Sequence, residues 1–354
     1  MASAKRIPPA RVRKFIIENI SAHPREIAKM VVDNFGISRQ AANSHLRKLA
    51  TQGVIKAEGH TKGRSYNFET LAWVRYSLDV KPDMKEDAEW RNNILQILED
   101  FPENVIDICQ YGFTEMLNNV GAHSGAQSCS INVDINAARA LIIIHDYGVG
   151  IFRKIQEELG LEDARHSILE LSKGKLTTAP EEHSGEGIFF TSRVFDKFSI
   201  VSGEYVFLSR KHGDDWLLNM ESRPPTEGTT VFLEIGPFAE QTLTEVFRRY
   251  EDDDARFSRT HVPLRLAKYE GEKLISRSQA RRLLERVERF DEALLDFDGV
   301  DEIGQAFADE IFRVFRGQHP EVKIVIANAS SAAKRMIDHV LADQDPRQRM
   351  LDFD

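Results

Sequence analysis

The chain has 354 residues, 42% of them apolar, a net charge of −9 and two cysteines. That length holds two or three domains with separate cores, and two cysteines exclude a disulfide framework. Cys109 and Cys129 read as packing residues, the apolar runs are far too short to span a membrane, and "MASAKRIPPA" has no apolar signal core, so a cytoplasmic protein is expected. Charge is uneven. The first 70 residues carry 13 Lys or Arg and 5 Asp or Glu, a balance of +8, while the rest carries 34 against 51, a balance of −17. A basic head on an acidic body points the head toward a polyanion.

"RVRKFIIENI" (11–20) predicts an amphipathic helix with Val12, Phe15, Ile16 and Ile20 inward. "HPREIAKMVVDNFG" predicts a second, with Gly36 past its end. "ISRQAANSHLRKLATQG" predicts a third, capped by Ser38, with Ala42, Leu46 and Leu49 on one face. "VIKAEGHTKGRSYNF" then predicts two short strands around a Gly-Lys turn. This order over residues 1–70 resembles a winged helix-turn-helix domain. The resemblance implies double-stranded DNA as a partner. Arg39, Gln40, Asn43, Ser44, Arg47 and Lys48 would face bases and phosphates from the third helix. His60, Lys62 and Arg64 would meet phosphates from the wing. A dimer is expected, because such readers commonly take paired half-sites.

Residues 71–87 are expected as a linker helix. The stretch from 71 to 104 contains no histidine, which argues against a phosphorelay kinase with its acceptor in this linker.

"NVIDICQYGFTEMLNNVGAHS" predicts one helix on which Glu115, Asn119 and His123 share a face at spacings of four. Asn119 offers an amide oxygen to Mg²⁺, and Glu115 a base near a γ-phosphate. "ALIIIHDYGVGI" predicts an apolar strand ending in Asp146. That carboxylate is suited to the exocyclic amine of adenine, and Gly148 and Gly150 let the backbone approach base and sugar. "HSGEGIFF" predicts a glycine turn, Gly185, Glu186 and Gly187, opening a helix whose amides suit phosphate oxygens.

Each motif alone is weak. In this order they resemble the GHKL ATPase and kinase family, across residues 88–236. The resemblance implies an α/β sandwich with helices on one face of a mixed sheet, and ATP with Mg²⁺ as cofactors. Glu115 and Asn119 match the N box, and Asp146, Gly148 and Gly150 the first glycine box. Gly185 and Gly187 match the second, and Thr229 in "EGTTVFLEI" the later element beside adenine. Residues 151–184 would be a lid over the phosphates, its stretch "LSKGKLTTAPEEHSG" polar and turn-rich as a mobile lid should be, and Lys173 and Lys175 could reach the phosphates. The spacing through His123 looks most like the anti-sigma-factor serine kinases of this family.

After a connector (237–261), residues 262–354 alternate helices with the strands "EALLDFDGV" and "VKIVIANA". This pattern predicts a small parallel α/β domain and resembles the STAS-like domains, a docking site for a protein partner. Their phosphorylatable serine aligns with Ala306, which cannot accept phosphate. The fold class is thus multidomain α+β. Three functions follow: a DNA-binding regulator gated by ATP with slow hydrolysis, a partner-switching protein serine kinase, or a dimerising ATPase.

Overall fold

The computed structural model describes residues 7–60, 63–81, 84–176, 185–211, 216–219, 226–268 and 272–342. The head consists of α1 (Pro9–Asn19), α2 (Ile27–Phe35) and α3 (Arg39–Thr51), then the antiparallel strands β1 (Ile55–Glu58) and β2 (Ser65–Phe68). Gly36 adopts φ 63° and ends α2 in the left-handed region that glycine tolerates best. The Ser38 hydroxyl accepts from the Ala41 amide at 3.1 Å and starts α3. Val12, Ile16, Ile27, Val31, Ala42, Leu46 and Leu49 close a core of their own, on which Ala137 packs from outside the head. Each large aliphatic side chain buried there contributes roughly 1.5–3 kcal/mol.

Residues 71–87 do not form the expected linker helix. β3 (Thr70–Asp79) occupies most of that stretch, with only Glu69 between it and β2. The reason is a period of two. Ala72, Val74, Tyr76 and Leu78 turn inward, and Leu71, Trp73, Arg75 and Ser77 turn out. A helical run follows, from α4 (Glu86–Glu89) through a π turn (Trp90–Ile94) and a 3-10 turn (Leu95–Leu98).

α5 (Glu103–His123) leads to β4 (Ser128–Asn136) and β5 (Arg139–Asp146). Next come α6 (Ile151–Leu159), α7 (Ala164–Lys173) and α8 (Gly187–Val194), then β6 (Lys197–Gly203), β7 (Tyr205–Arg210), β8 (Trp216–Asn219) and β9 (Thr226–Ile235). The strands form one seven-stranded sheet in the order β3-β4-β5-β9-β6-β7-β8. The mixed sheet expected from sequence is corrected here, since every neighbouring pair is antiparallel. β5 and β6, joined by a helical crossover, do run parallel to each other. β9 inserts between them and is antiparallel to both. Alternate residues of β4 and β5, among them Cys129, Ile131, Val133, Ile142 and Ile144, are buried in the core with α5.

Of the segment 151–184 expected as a lid, residues up to 176 are described, and they form α6 and α7, while 177–184 lie outside the described residues. Asp163 caps α7, accepting from the Arg165 amide at 2.9 Å, and Gly174 at φ 79° ends it. Residues 166–173 are all buried, polar ones included, because α7 packs between α6 and the C-terminal unit.

α9 (Leu243–Arg248), opened by a Thr242–Glu245 capping box, precedes that unit. The unit comprises β10 (Arg259–Pro263), a 3-10 turn (Leu264–Ala267), α10 (Arg277–Leu284), β11 (Glu292–Asp296) and α11 (Gln305–Asp309). α11 continues through a π stretch (Glu310–Phe315) into α12 (Arg316–Gln318), before β12 (Lys323–Ala327) and α13 (Ser331–Ala342). Its sheet, β10-β11-β12, is parallel, and β10 comes largely from the segment read as connector. One buried apolar cluster runs without a break from the seven-stranded sheet into this unit.

Candidate functional site

Four elements far apart in sequence meet at one cavity of about 290 Å³. Of the residues singled out from sequence, Glu115, Asn119, His123, Asp146, Gly150, Gly185, Gly187 and Thr229 line it. α5 aligns the first three one turn apart on one side. β5 delivers Asp146 and β9 delivers Thr229 on the neighbouring strand, where the two are register partners. α8 begins at the glycine turn on the remaining side.

Asp146 is only 4% exposed. Its Oδ1 accepts the Gly148 amide at 2.9 Å and the Thr229 amide at 3.3 Å. Burial pushes its carboxyl above the ordinary value, and these hydrogen bonds and the nearby His145 oppose the rise. The Thr229 hydroxyl accepts the Ile151 amide at 3.0 Å, tying the start of α6 to β9. The site therefore holds a nearly dry carboxylate in a fixed orientation at the end of a strand, where an acceptor discriminates strongly between hydrogen-bonding partners.

The glycines answer to close neighbours within the protein. A Cβ on Gly148 would stand 2.1 Å from the Ser124 carbonyl oxygen, so Gly148 shapes the turn and does not itself line the cavity. A Cβ on Gly187 would stand 2.0 Å from Glu115 Oε2, so its absence lets the carboxylate lie against the opening turn of α8. Glu186, the residue before α8, does not line the cavity and makes no side-chain cap.

Asn119 Nδ2 is buried with no hydrogen-bond partner. A buried amide of this kind calls for a ligand, and turned over it presents Oδ1. An oxygen beside a carboxylate suits a Mg²⁺ that keeps most of its water.

Sequence reasoning missed Lys154, Leu171, Leu176 and Phe189, all of which line the cavity. Lys154 on α6 donates its Nζ to the His123 carbonyl at 2.9 Å and bridges the helices of the first two motifs. Its one signal was position, one turn after Gly150. Lys173 and Lys175, expected near phosphates, are turned away. Lys173 Nζ bonds Glu170 Oε1 at 2.6 Å and the Glu285 carbonyl at 2.7 Å, and Lys175 Nζ bonds the Arg289 carbonyl at 2.8 Å.

On the head, Arg39, Gln40, Ser44, Arg47 and Lys48 lie exposed on α3, and Asn43 is half-buried. His60 and Arg64 are exposed near the hairpin turn, while Lys62 lies outside the described residues. In the C-terminal unit, Ala306 occupies the first turn of α11. At the sheet's carboxyl end, Asp296 pairs with His261 Nε2 at 2.9 Å and accepts from Asn328 Nδ2 at 2.9 Å. Burial alone would raise the Asp296 carboxyl, but these bonds, the Asp298 amide and the His261 charge outweigh it and hold the pKa at about 2.

The model of a STAS-like domain of unknown function (DUF4325) matches residues 279–334, from α10 into α13. The chain thus carries a C-terminal STAS-like domain. No curated protein matches the chain. Among the described residues, no helix is long and apolar enough to cross a membrane.

Proposed function

We propose that the chain is an ATP-binding, DNA-binding regulator. In this reading a GHKL-type ATP switch with slow hydrolysis controls a winged-helix DNA reader, and the STAS-like domain takes a protein partner. The observation that carries it is the convergence of Glu115, Asn119, Asp146, Gly185, Gly187 and Thr229 on one cavity from separate stretches of chain. Chance motifs have no reason to meet in space.

Asp146 would accept the adenine amine, with Thr229 holding the strand geometry around it. The amides at the start of α8 would take phosphate oxygens. Asn119 would hold Mg²⁺, which when bound neutralises phosphate charge. Glu115 would orient a water or take its proton, and Lys154 would keep α5 and α6 in register. The exposed donors of α3 and the +8 balance of the first 70 residues support DNA as the ligand of the head. ATP can change DNA affinity only through its differential affinity for two arrangements of the protein. A homodimer supplies two such arrangements.

A gel-shift series on a randomised duplex pool in low salt, with and without Mg-ATP, tests the reading. Binding whose affinity or selected sequence changes with Mg-ATP supports it. Absence of DNA binding under both conditions refutes it.

A further inference from the structure

The side of the cavity expected to meet phosphates is built against the STAS-like domain by two separate contacts. The first is α7. Leu171 and Leu176 line the cavity, while Glu170 and Lys173, on the other side of the same segment, are buried against α10 and the residues that follow it. Lys173 is fully buried and bonds Glu170 and the Glu285 carbonyl, and its own carbonyl accepts the Thr260 hydroxyl of β10 at 2.7 Å. Arg286 Nη1 pairs with Glu170 Oε2 at 3.0 Å, and its Nη2 donates to the carbonyls of Gly174 and Lys175. Arg286 (φ 65°) and Lys175 (φ 51°) both hold left-handed backbone, which a non-glycine residue keeps only where its surroundings fix it. Leu176 then donates its amide to the Gly185 carbonyl at 3.2 Å, inside the glycine turn.

The second contact is aromatic. Phe189, in the first turn of α8 and on the cavity wall, packs on Phe257 at 4.8 Å, and Phe257 packs on Phe290 at 5.3 Å. Lys175 Nζ caps the Phe290 ring at 4.5 Å. No space separates these layers, since a Cβ on Gly174 would lie 2.7 Å from the Phe257 ring.

We propose that the STAS-like domain is an internal clamp on the phosphate side of the nucleotide cavity. Its docking through Arg286, Glu170 and Lys173 and the binding of Mg-ATP favour one another. This rests on the ATP reading of the cavity. The clamp holds Leu171, Leu176, Gly185 and Phe189 in place before nucleotide arrives, so releasing it charges the cost of ordering them to binding. By linkage, nucleotide must tighten the clamp by the same factor. A partner that draws the STAS-like domain away would thereby expel ATP.

Three measurements on the full chain test this. Hydrogen exchange on wild type should slow in residues 165–176 and 277–290 when Mg-ATP is added. Arg286→Met should raise the Kd of Mg-ATP by about 5- to 150-fold, the usual span of coupling between sites. The same variant should leave adenosine affinity unchanged, because adenosine does not reach the phosphate side. Thr260→Val, a milder lesion at the same seam, should shift ATP in the same direction and serves if Arg286→Met fails to fold. If wild type binds no ATP, the cavity reading falls and the clamp with it. The clamp alone falls if wild type binds ATP and any of three results is found: variants matching wild type, ATP and adenosine weakened equally, or exchange in 277–290 ignoring nucleotide.

Discussion

Replacing Asp146 by Asn changes one atom type at the base end of the cavity. Oδ1 already holds the amides of Gly148 and Thr229, and an asparagine oxygen can keep both. The change falls on the second oxygen, where an acceptor becomes an NH₂ donor that, in the proposed reading, would face the adenine amine. Losing a hydrogen bond to a charged acceptor costs about 1.5–3 kcal/mol. At about 1.4 kcal/mol per factor of ten, the Kd of Mg-ATP should rise about 10- to 150-fold, and preference for ATP over GTP should shrink. Stability should move the other way. Burial raises the Asp146 carboxyl, so between its ordinary and its raised value the folded state holds more proton than the unfolded one. Wild type therefore loses stability as pH rises through that window, and Asp146→Asn does not. The variant should gain thermal stability relative to wild type between pH 4 and pH 7. Calorimetric titration with Mg-ATP and melting curves at both pH values measure the two effects. An unchanged Kd in a folded variant refutes the role assigned to Asp146, and parallel pH curves refute the burial account.

Glu115→Gln should lower ATP turnover by about 10²- to 10⁴-fold, the usual contribution of a general base, with little change in Mg-ATP affinity in a phosphate-release assay. Arg47→Ala should weaken DNA binding and reduce the slope of log affinity against log salt by about 1, read by fluorescence anisotropy across salt concentrations. Asp296→Asn should cost about 2 kcal/mol of stability near neutral pH, from a carboxyl held at about 2 against an ordinary 3.8. Because that carboxyl is lowered, its contribution is present above the ordinary value and lost as pH falls through about 2, so acid unfolding of variant and wild type should converge there. Mg-ATP should change affinity for a duplex with two half-sites and leave a single half-site unaffected, which paired gel shifts on the two duplexes can read.

Sequence periodicity made much of this molecule legible. The 3.6-residue pattern around Val12, Ile16, Ala42 and Leu46 located the head's helices, and the spacing of Glu115, Asn119 and His123 put them on one side of α5. β3 stands where a linker helix was expected, although Ala72, Val74, Tyr76 and Leu78 alternate as a strand does. The place of Lys173 was hidden for a deeper reason. Glu170 and Lys173 are polar in sequence, and only their pairing with each other and with Arg286, 113 residues beyond Lys173, makes them interior. The antiparallel order of the sheet was hidden likewise, since it depends on β9 entering between strands already joined by a crossover.

The expectation about half-sites follows from where the head sits. β5 ends at the cavity with Asp146 and begins at Arg139 at the other end of the sheet. The head rests at that far end. Ala137, in the turn before β5, packs on its core, and Lys14 stands 5.4 Å over the Phe238 ring and 3.9 Å from Glu240, just past β9. The seven residue steps from Arg139 to Asp146, at roughly 3.3 Å each, span about 23 Å of closely packed sheet. Packed interiors of this density do not deform smoothly. Along β5 and β9, a signal from the cavity would have to shift packed sheet as a body rather than reshape α3 locally. In the proposed homodimer, nucleotide would change the arrangement of one copy relative to the other, and with it the distance between two copies of α3. A single half-site is blind to that distance, and a paired site reads it directly.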